Sequence, residues 1–174
     1  MAIAPFTSLI FPDEAATAQF ASGLAPLLTA GDVLLFDGPI GAGKTAFCRA
    51  LIQARMAAVS MVEDVPSPTF TLVQTYELPD SEIWHADLYR LTHPDETVEL
   101  GLDEAFTTAI CLIEWPDRLG DAAPPDALTI SLTVAGDTDA RHAAFTSTNP
   151  DRWSDRITAA ASLSKPEKSP QNAD

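Results

Sequence analysis

The sequence predicts an α/β fold: a central, mostly parallel sheet with helices on both faces and a peripheral antiparallel hairpin. Three observations predict it. Val33 to Phe36 are four apolar residues in succession, bounded by Gly31 and Gly38, as in a central strand covered on both faces. The glycine loop GPIGAGKT at 38–45 then leads into helical spacing at Phe47, Leu51 and Ala54. LTISLTV at 128–134 instead alternates, and the GDTD turn at 136–139 leads into a returning strand through Phe145.

In chain order, FTSLIF at 6–11 reads as a first strand, and Pro12, Asp13 and Glu14 signal a helix start with acidic residues in the first turn. Phe20, Leu24, Leu27 and Leu28 continue that helix. Pro26 should split it, because proline lacks a backbone donor and crowds the preceding turn. After the buried strand, the second helix begins at about Gly43 and fades near Met56. VSMVEDVPSP at 59–68 has loop chemistry, and Thr69 to Glu77 is expected to be a strand with Phe70, Leu72 and Gln74 on one side. Ile83 to Leu91 is a further strand, and its period of two puts His85, Asp87 and Tyr89 on one face. Thr92 to Asp95 should open a helix running toward Phe106, and Ile110 to Ile113 is a core strand ending at Glu114. Asn149 and Asp151 are placed to cap a last helix, 149–163, carrying Trp153 and Ile157; 164–174 has the composition of a disordered tail.

A chain of 174 residues can bury one good core and not comfortably two, so one domain is expected over 1–148. Ten Lys and Arg against 25 Asp and Glu give a net charge of -15, which repels RNA and anionic membrane surfaces on average. No stretch has the pattern of a signal peptide or a membrane span, which points to the cytoplasm. Cys48 and Cys111 are far apart in the sequence without ligand spacing, and His85, His93 and His142 show no metal spacing, so no structural zinc is expected. Both cysteines read as small buried hydrophobes.

GPIGAGKT satisfies the Walker A pattern GxxxxGK[ST], making this a P-loop NTPase-like three-layer fold. The glycines Gly38, Gly41 and Gly43 let backbone N–H groups turn inward around phosphate oxygens, with Ala42 and Ala46 lining the same cradle. Lys44 can reach the β- and γ-phosphates of ATP, and the Thr45 hydroxyl can ligate magnesium. At ordinary glycine usage the pattern arises by chance in about one window in tens of thousands. Such a site also needs an acidic group near the magnesium, at the end of a neighbouring apolar strand. Glu114, ending ICLIE, and Asp87, in HADLYR, both fit. On these residues alone, Glu114 equally reads as a strand-end acid facing solvent, and Asp87 as an edge acid paired with Arg90.

GAGKT at 41–45, SPTFTLV at 67–73, HADLYRL at 85–91, ELGLDE at 99–104 and LIEWPDRL at 112–119 together resemble the bacterial TsaE (YjeE) family, in matching order and rough spacing. The resemblance runs from the first strand to about Val134. It implies a small magnesium-dependent P-loop ATPase that supports formation of threonylcarbamoyladenosine in tRNA by acting on a complex of TsaD and TsaB, meeting tRNA only through them. It implies that Lys44 and Thr45 hold phosphate and magnesium and that Glu114 is the second magnesium-side group. Asp87 would serve hydrolysis, Thr69 would sense the γ-phosphate, and Trp115 would lie beside the nucleotide. The family usually carries an acid after the first loop glycine, where this chain has Pro39. Two alternatives remain on sequence: a small-molecule kinase using the same loop, and a nucleotide-dependent binding module whose turnover is incidental. The kinase would want basic residues closing over the phosphates, and few follow Arg55.

Overall fold

The computed structural model describes residues 3–163. Thr7–Phe11 forms β1 and Glu14–Leu24 forms α1. Asp13 caps α1 by accepting the Ala16 N–H at 2.8 Å, the bond expected of an aspartate at a helix start. Pro26 ends the helix as its chemistry requires, leaving a single 3-10 turn at Ala25–Leu27. Val33–Asp37 is β2 and Lys44–Ala58 is α2, on either side of the glycine loop. Then follow β3 at Val73–Glu77, β4 at Glu82–Asp87, α3 at Glu96–Glu99, α4 at Leu102–Thr108 and β5 at Ile110–Glu114. A 3-10 segment at Pro116–Ala122 precedes the hairpin of β6, Leu128–Val134, and β7, Arg141–Thr146, and α5 at Pro150–Leu163 closes the described chain.

The seven strands form one sheet in the order β1-β7-β6-β2-β5-β4-β3. Pairing is parallel for β6 with β2, β2 with β5 and β5 with β4, and antiparallel at both flanks. The two patterns read from the sequence now have their cause. In β2, Leu34 and Phe36 join the core beneath α1, α2 and α5, while Val33 and Leu35 join a second core beneath α4 and the 3-10 segment. In β6, Leu128, Ile130 and Leu132 face the first core, while Thr129 and Ser131 on the other face are only half-buried. The first core is centred on Phe11, Phe20, Phe36, Phe47 and Phe145, whose nearest ring centroids are 5.1 to 6.5 Å apart in tilted or edge-on contacts.

The last helix is docked by packing and by charge. Trp153, Ile157 and Ala160 are buried on its inner face, and α1 approaches so closely that a Cβ on Gly23 would lie 3.2 Å from the Ala160 carbonyl oxygen. Arg152 and Arg156 each donate to Asp32 at 2.7 Å, and Asp32 is fully buried. Asp126 takes the other arm of Arg152, and its carbonyl accepts Trp153 Nε1–H at 3.0 Å.

Three expectations need correction. Thr69 to Leu72 is a turn rather than the start of a strand: Leu72 N–H donates to the Pro68 carbonyl at 2.8 Å and Leu72 sits at φ +67°, which no strand can accommodate. Phe70 consequently points outward, 84% exposed. The strand expected over 83–91 stops at Asp87, so Tyr89 lies beyond it. The single helix expected toward Phe106 is broken in two at Gly101, where φ is +82° and an added Cβ would lie 3.3 Å from the Trp84 ring. The tail at 164–174 lies outside the described residues.

Candidate functional site

Ligands of open parallel sheets bind beyond the carboxyl ends of the strands. Here that edge is built by register: Phe36 of β2 is level with Glu114 of β5, and Glu114 is level with Asp87 of β4. Two carboxylates thus stand side by side where the glycine loop leaves β2. Both are nearly out of solvent, Asp87 at 5% exposure and Glu114 at 2%.

The loop wraps this edge closely. A Cβ on Gly38 would lie 2.3 Å from the Leu132 carbonyl oxygen, so only glycine lets β6 and the loop pass at this point. At the start of α2 the N–H groups of the first turn have no helical carbonyl to receive them, and they carry the positive end of the helix dipole. Lys44 Nζ is held by the carbonyls of Gly38 and, at 3.1 Å, of Pro39, and it lies 3.8 Å from the centroid of the Trp115 ring. Burial pushes the Lys44 amine down, and the nearby carboxylates of Glu114, Asp37, Asp87 and Asp117 pull against that. Pro39 therefore keeps a part in the loop through its carbonyl, which also accepts the Ala42 N–H at 3.1 Å.

Thr45 donates its hydroxyl to Glu114 Oε1 at 2.7 Å. Thr69 donates to Asp87 Oδ2 at 3.3 Å, and Asp87 Oδ1 accepts the Tyr89 N–H at 3.0 Å. Asp87 N–H in turn donates to the Leu72 carbonyl at 2.9 Å, so the turn carrying Thr69 is fastened to the end of β4. Trp115 takes a left-handed conformation, φ +59°, as the chain leaves β5, and its ring packs on Tyr89 with centroids 4.8 Å apart. A Thr hydroxyl with carboxylates beside it is a hard oxygen set, which suits magnesium.

A cavity of about 430 Å³ is lined by Gly41, Ala42, Gly43, Lys44, Thr45, Ala46, Thr69, Asp87, Glu114 and Trp115. Of the residues expected at a nucleotide site, only Gly38 is not in its wall. Pro39, Ile40 and Tyr89 line it without having been expected there. His85 was placed on the face of Asp87 by strand period, but its contact was not foreseen: Nε2 lies 2.7 Å from Glu114 Oε2, with the ring fully buried. A second cavity of about 560 Å³ shares Ala42, Gly43 and Ala46 with the first and extends to Asp13, Thr17, Asp139 and Arg141. Arg141 closes its floor by donating to the Ala42 carbonyl at 3.1 Å. Cys48 and Cys111 are both buried, as expected; burial pushes the Cys48 thiol well up and that of Cys111 to about 12.

The family model for threonylcarbamoyl adenosine biosynthesis protein TsaE matches residues 11–143, which carry every group just described. The chain belongs to the TsaE family. A TsaE protein of Rickettsia bellii is 38% identical over 128 residues, 74% of this chain and 87% of that protein. One from Bacillus subtilis is 36% identical over 136 residues, 78% of this chain and 80% of that protein. The crystal structure of Bacillus subtilis YdiB superposes with a TM-score of 0.72 at 25% identity, covering 95% of this chain and 99% of that one. The TsaE match ends within β7, so α5 lies outside it. Among the described residues no helix is long and apolar enough to cross a membrane.

Proposed function

We propose that this TsaE-family chain is a magnesium-dependent ATPase in which water is the acceptor, and that its turnover serves tRNA threonylcarbamoyladenosine formation through a complex of TsaD and TsaB. The observation that carries the proposal is the placement of Asp87: level with Glu114, in the wall of the same cavity as Lys44 and Thr45, and bonded to Thr69. An acid in that place can orient a water toward a γ-phosphate.

The roles follow from the contacts. The first turn of α2 and the loop N–H groups would bind the phosphates, and Lys44 would exchange its loop carbonyls for phosphate oxygen. Thr45 and Glu114 would hold magnesium, which neutralises charge developing between the β- and γ-phosphates. Thr69 would report the γ-phosphate to the turn at Pro68–Leu72 through its bond to Asp87. The second cavity would take the nucleoside, since it continues from the loop on the other side and offers carboxylate acceptors at Asp13 and Asp139. Ile40, Phe70 and Tyr89 stand 78%, 84% and 47% exposed, all on the segments that form this edge. Apolar side chains on an otherwise acidic protein support a protein partner there rather than direct contact with RNA.

Phosphate release from magnesium ATP, measured for the chain alone and with the TsaD–TsaB complex, tests this. Stimulation by the complex that disappears in Lys44→Ala is the expected result. Transfer of labelled phosphate to a small acceptor instead of water would replace the ATPase with a kinase. ATP-promoted association that survives Asp87→Ala, with function intact, would replace it with a binding module.

A further inference from the structure

We infer that His85 is a positioning residue for Glu114: its imidazole fixes the carboxylate from behind so that the opposite oxygen is presented to Thr45 and the phosphate cavity. This rests on the nucleotide function proposed above and adds to it a residue outside the cavity wall.

Three observations converge on His85. It does not line the cavity, so it can reach the chemistry only through another group. Its Nε2 is 2.7 Å from Glu114 Oε2, while Glu114 Oε1 receives the Thr45 hydroxyl at the same distance, so the two carboxylate oxygens are divided between a brace and a working face. Its Nδ1 is buried with no hydrogen-bond partner among the described residues. A buried N–H without an acceptor costs more than a bare ring nitrogen, so the proton belongs on Nε2, donated to Glu114.

A fully buried imidazole with one unpartnered nitrogen is a poor way to fill a core, and a leucine there would avoid the cost. What the imidazole supplies is direction. Groups bonded to a ligating side chain set its orientation, and their loss usually weakens metal binding by about 10–100-fold. The strand makes this economical: with a period of two, β4 points Asp87 into the cavity and His85 at Glu114 from the same face. Cys48 is also near, its sulfur within 4.8 Å of ligand atoms of His85 and Glu114. It is buried on the side of α2 that packs into the first core.

The test separates magnesium binding from nucleotide binding. ATP is titrated calorimetrically into the full chain in EDTA, and magnesium chloride is then titrated at fixed ATP, for the unsubstituted chain and for His85→Leu, His85→Gln and Glu114→Gln. Circular dichroism confirms folding; if His85→Leu does not fold, His85→Asn, whose amide stops short of Glu114, replaces it. The expected result is ATP affinity in EDTA within about twofold of the unsubstituted chain, with the magnesium half-saturation raised about 10–100-fold. His85→Gln, whose amide nitrogen can occupy the place of Nε2, should recover most of that loss. In the Glu114→Gln background the His85 substitution should add little, because the residue it serves is already gone. The inference is overturned if the magnesium response is unchanged, if ATP affinity falls equally with and without magnesium, if Gln is no better than Leu, or if the two losses add. Absence of any magnesium response in the unsubstituted chain would instead overturn the proposed function, and this inference with it.

Discussion

The two ends of the central strands bury carboxylates in opposite ways. At the amino end, Asp32 precedes β2 and is met by the guanidinium groups of Arg152 and Arg156 and by the Thr29 N–H at 2.8 Å. At the carboxyl end, Glu114 and Asp87 are met by two hydroxyls, an imidazole and a backbone N–H. Lys44, the cation nearest to hand, is turned onto carbonyls and an indole ring. The first edge neutralises its charge within the chain and holds α5 in place. The second has no Lys or Arg bonded to either carboxylate among the described residues, and it gathers unusual backbone around it, at Leu72 and Trp115. On the function proposed above, stability and chemistry take separate ends of one sheet.

Four measurements can break or sharpen that contrast. Asp32→Ala takes the ion-pair partner from Arg156 and leaves Arg152 with Asp126 alone, both arginines being still about a quarter exposed. It should cost about 3 kcal/mol in urea unfolding, the low end for a broken buried pair, without changing phosphate release per folded molecule. A loss under about 1 kcal/mol would mean that packing of Trp153, not charge, docks the helix. Asp87→Asn should do the reverse: phosphate release falls about 100-fold, near 2.7 kcal/mol in the barrier, while the melting temperature holds or rises. Unfolding of this variant would show that the carboxyl end, too, is built for stability.

Gly38→Ala probes the point where both demands meet, since a Cβ there meets the backbone of β6. It should cost about 2 kcal/mol of stability and weaken ATP binding, whereas a neutral result would require the hairpin to move away freely. The smallest effect is expected from Phe70→Ser. At 84% exposure its removal should leave stability within about 0.5 kcal/mol. Stimulation of phosphate release by the partner complex should fall all the same.

Much of the architecture was legible because local patterns and tertiary environment agree. The continuous run of β2 and the alternation of β6 each match the number of faces covered, and Asp13 and Pro26 act where their chemistry places them. The site was legible in its parts: loop, Lys44, Thr45, Glu114 at the end of an apolar strand, and Asp87 within a strand that was expected to run on to Leu91. The geometry relating those parts was not. That His85 faces Glu114 depends on β4 lying beside β5 in a given register, and no local pattern encodes a neighbour. The turn at Leu72 has no local signature, because TFTLVQTYE alternates like a strand. Its left-handed residue is held in place by the Pro68 carbonyl and by the N–H of Asp87, fifteen positions on. Gly101 carries a local signal for the break between α3 and α4, since glycine favours the φ of +82° found there.

The sheet order also constrains how the protein can be made. Among the described residues β1 lies at the edge of the sheet and pairs only with β7, so it has no mate until residues 141–146 have been synthesised. The edge that carries Asp87 and Glu114 likewise needs β2, β4 and β5 together, segments contributed by widely separated parts of the chain. Contacts of such long sequence separation form late. A nascent chain would therefore carry a complete Walker loop long before the carboxylates of Asp87 and Glu114 stood beside it, and chains released short of β7 would leave β6 as an open edge for other chains to pair with.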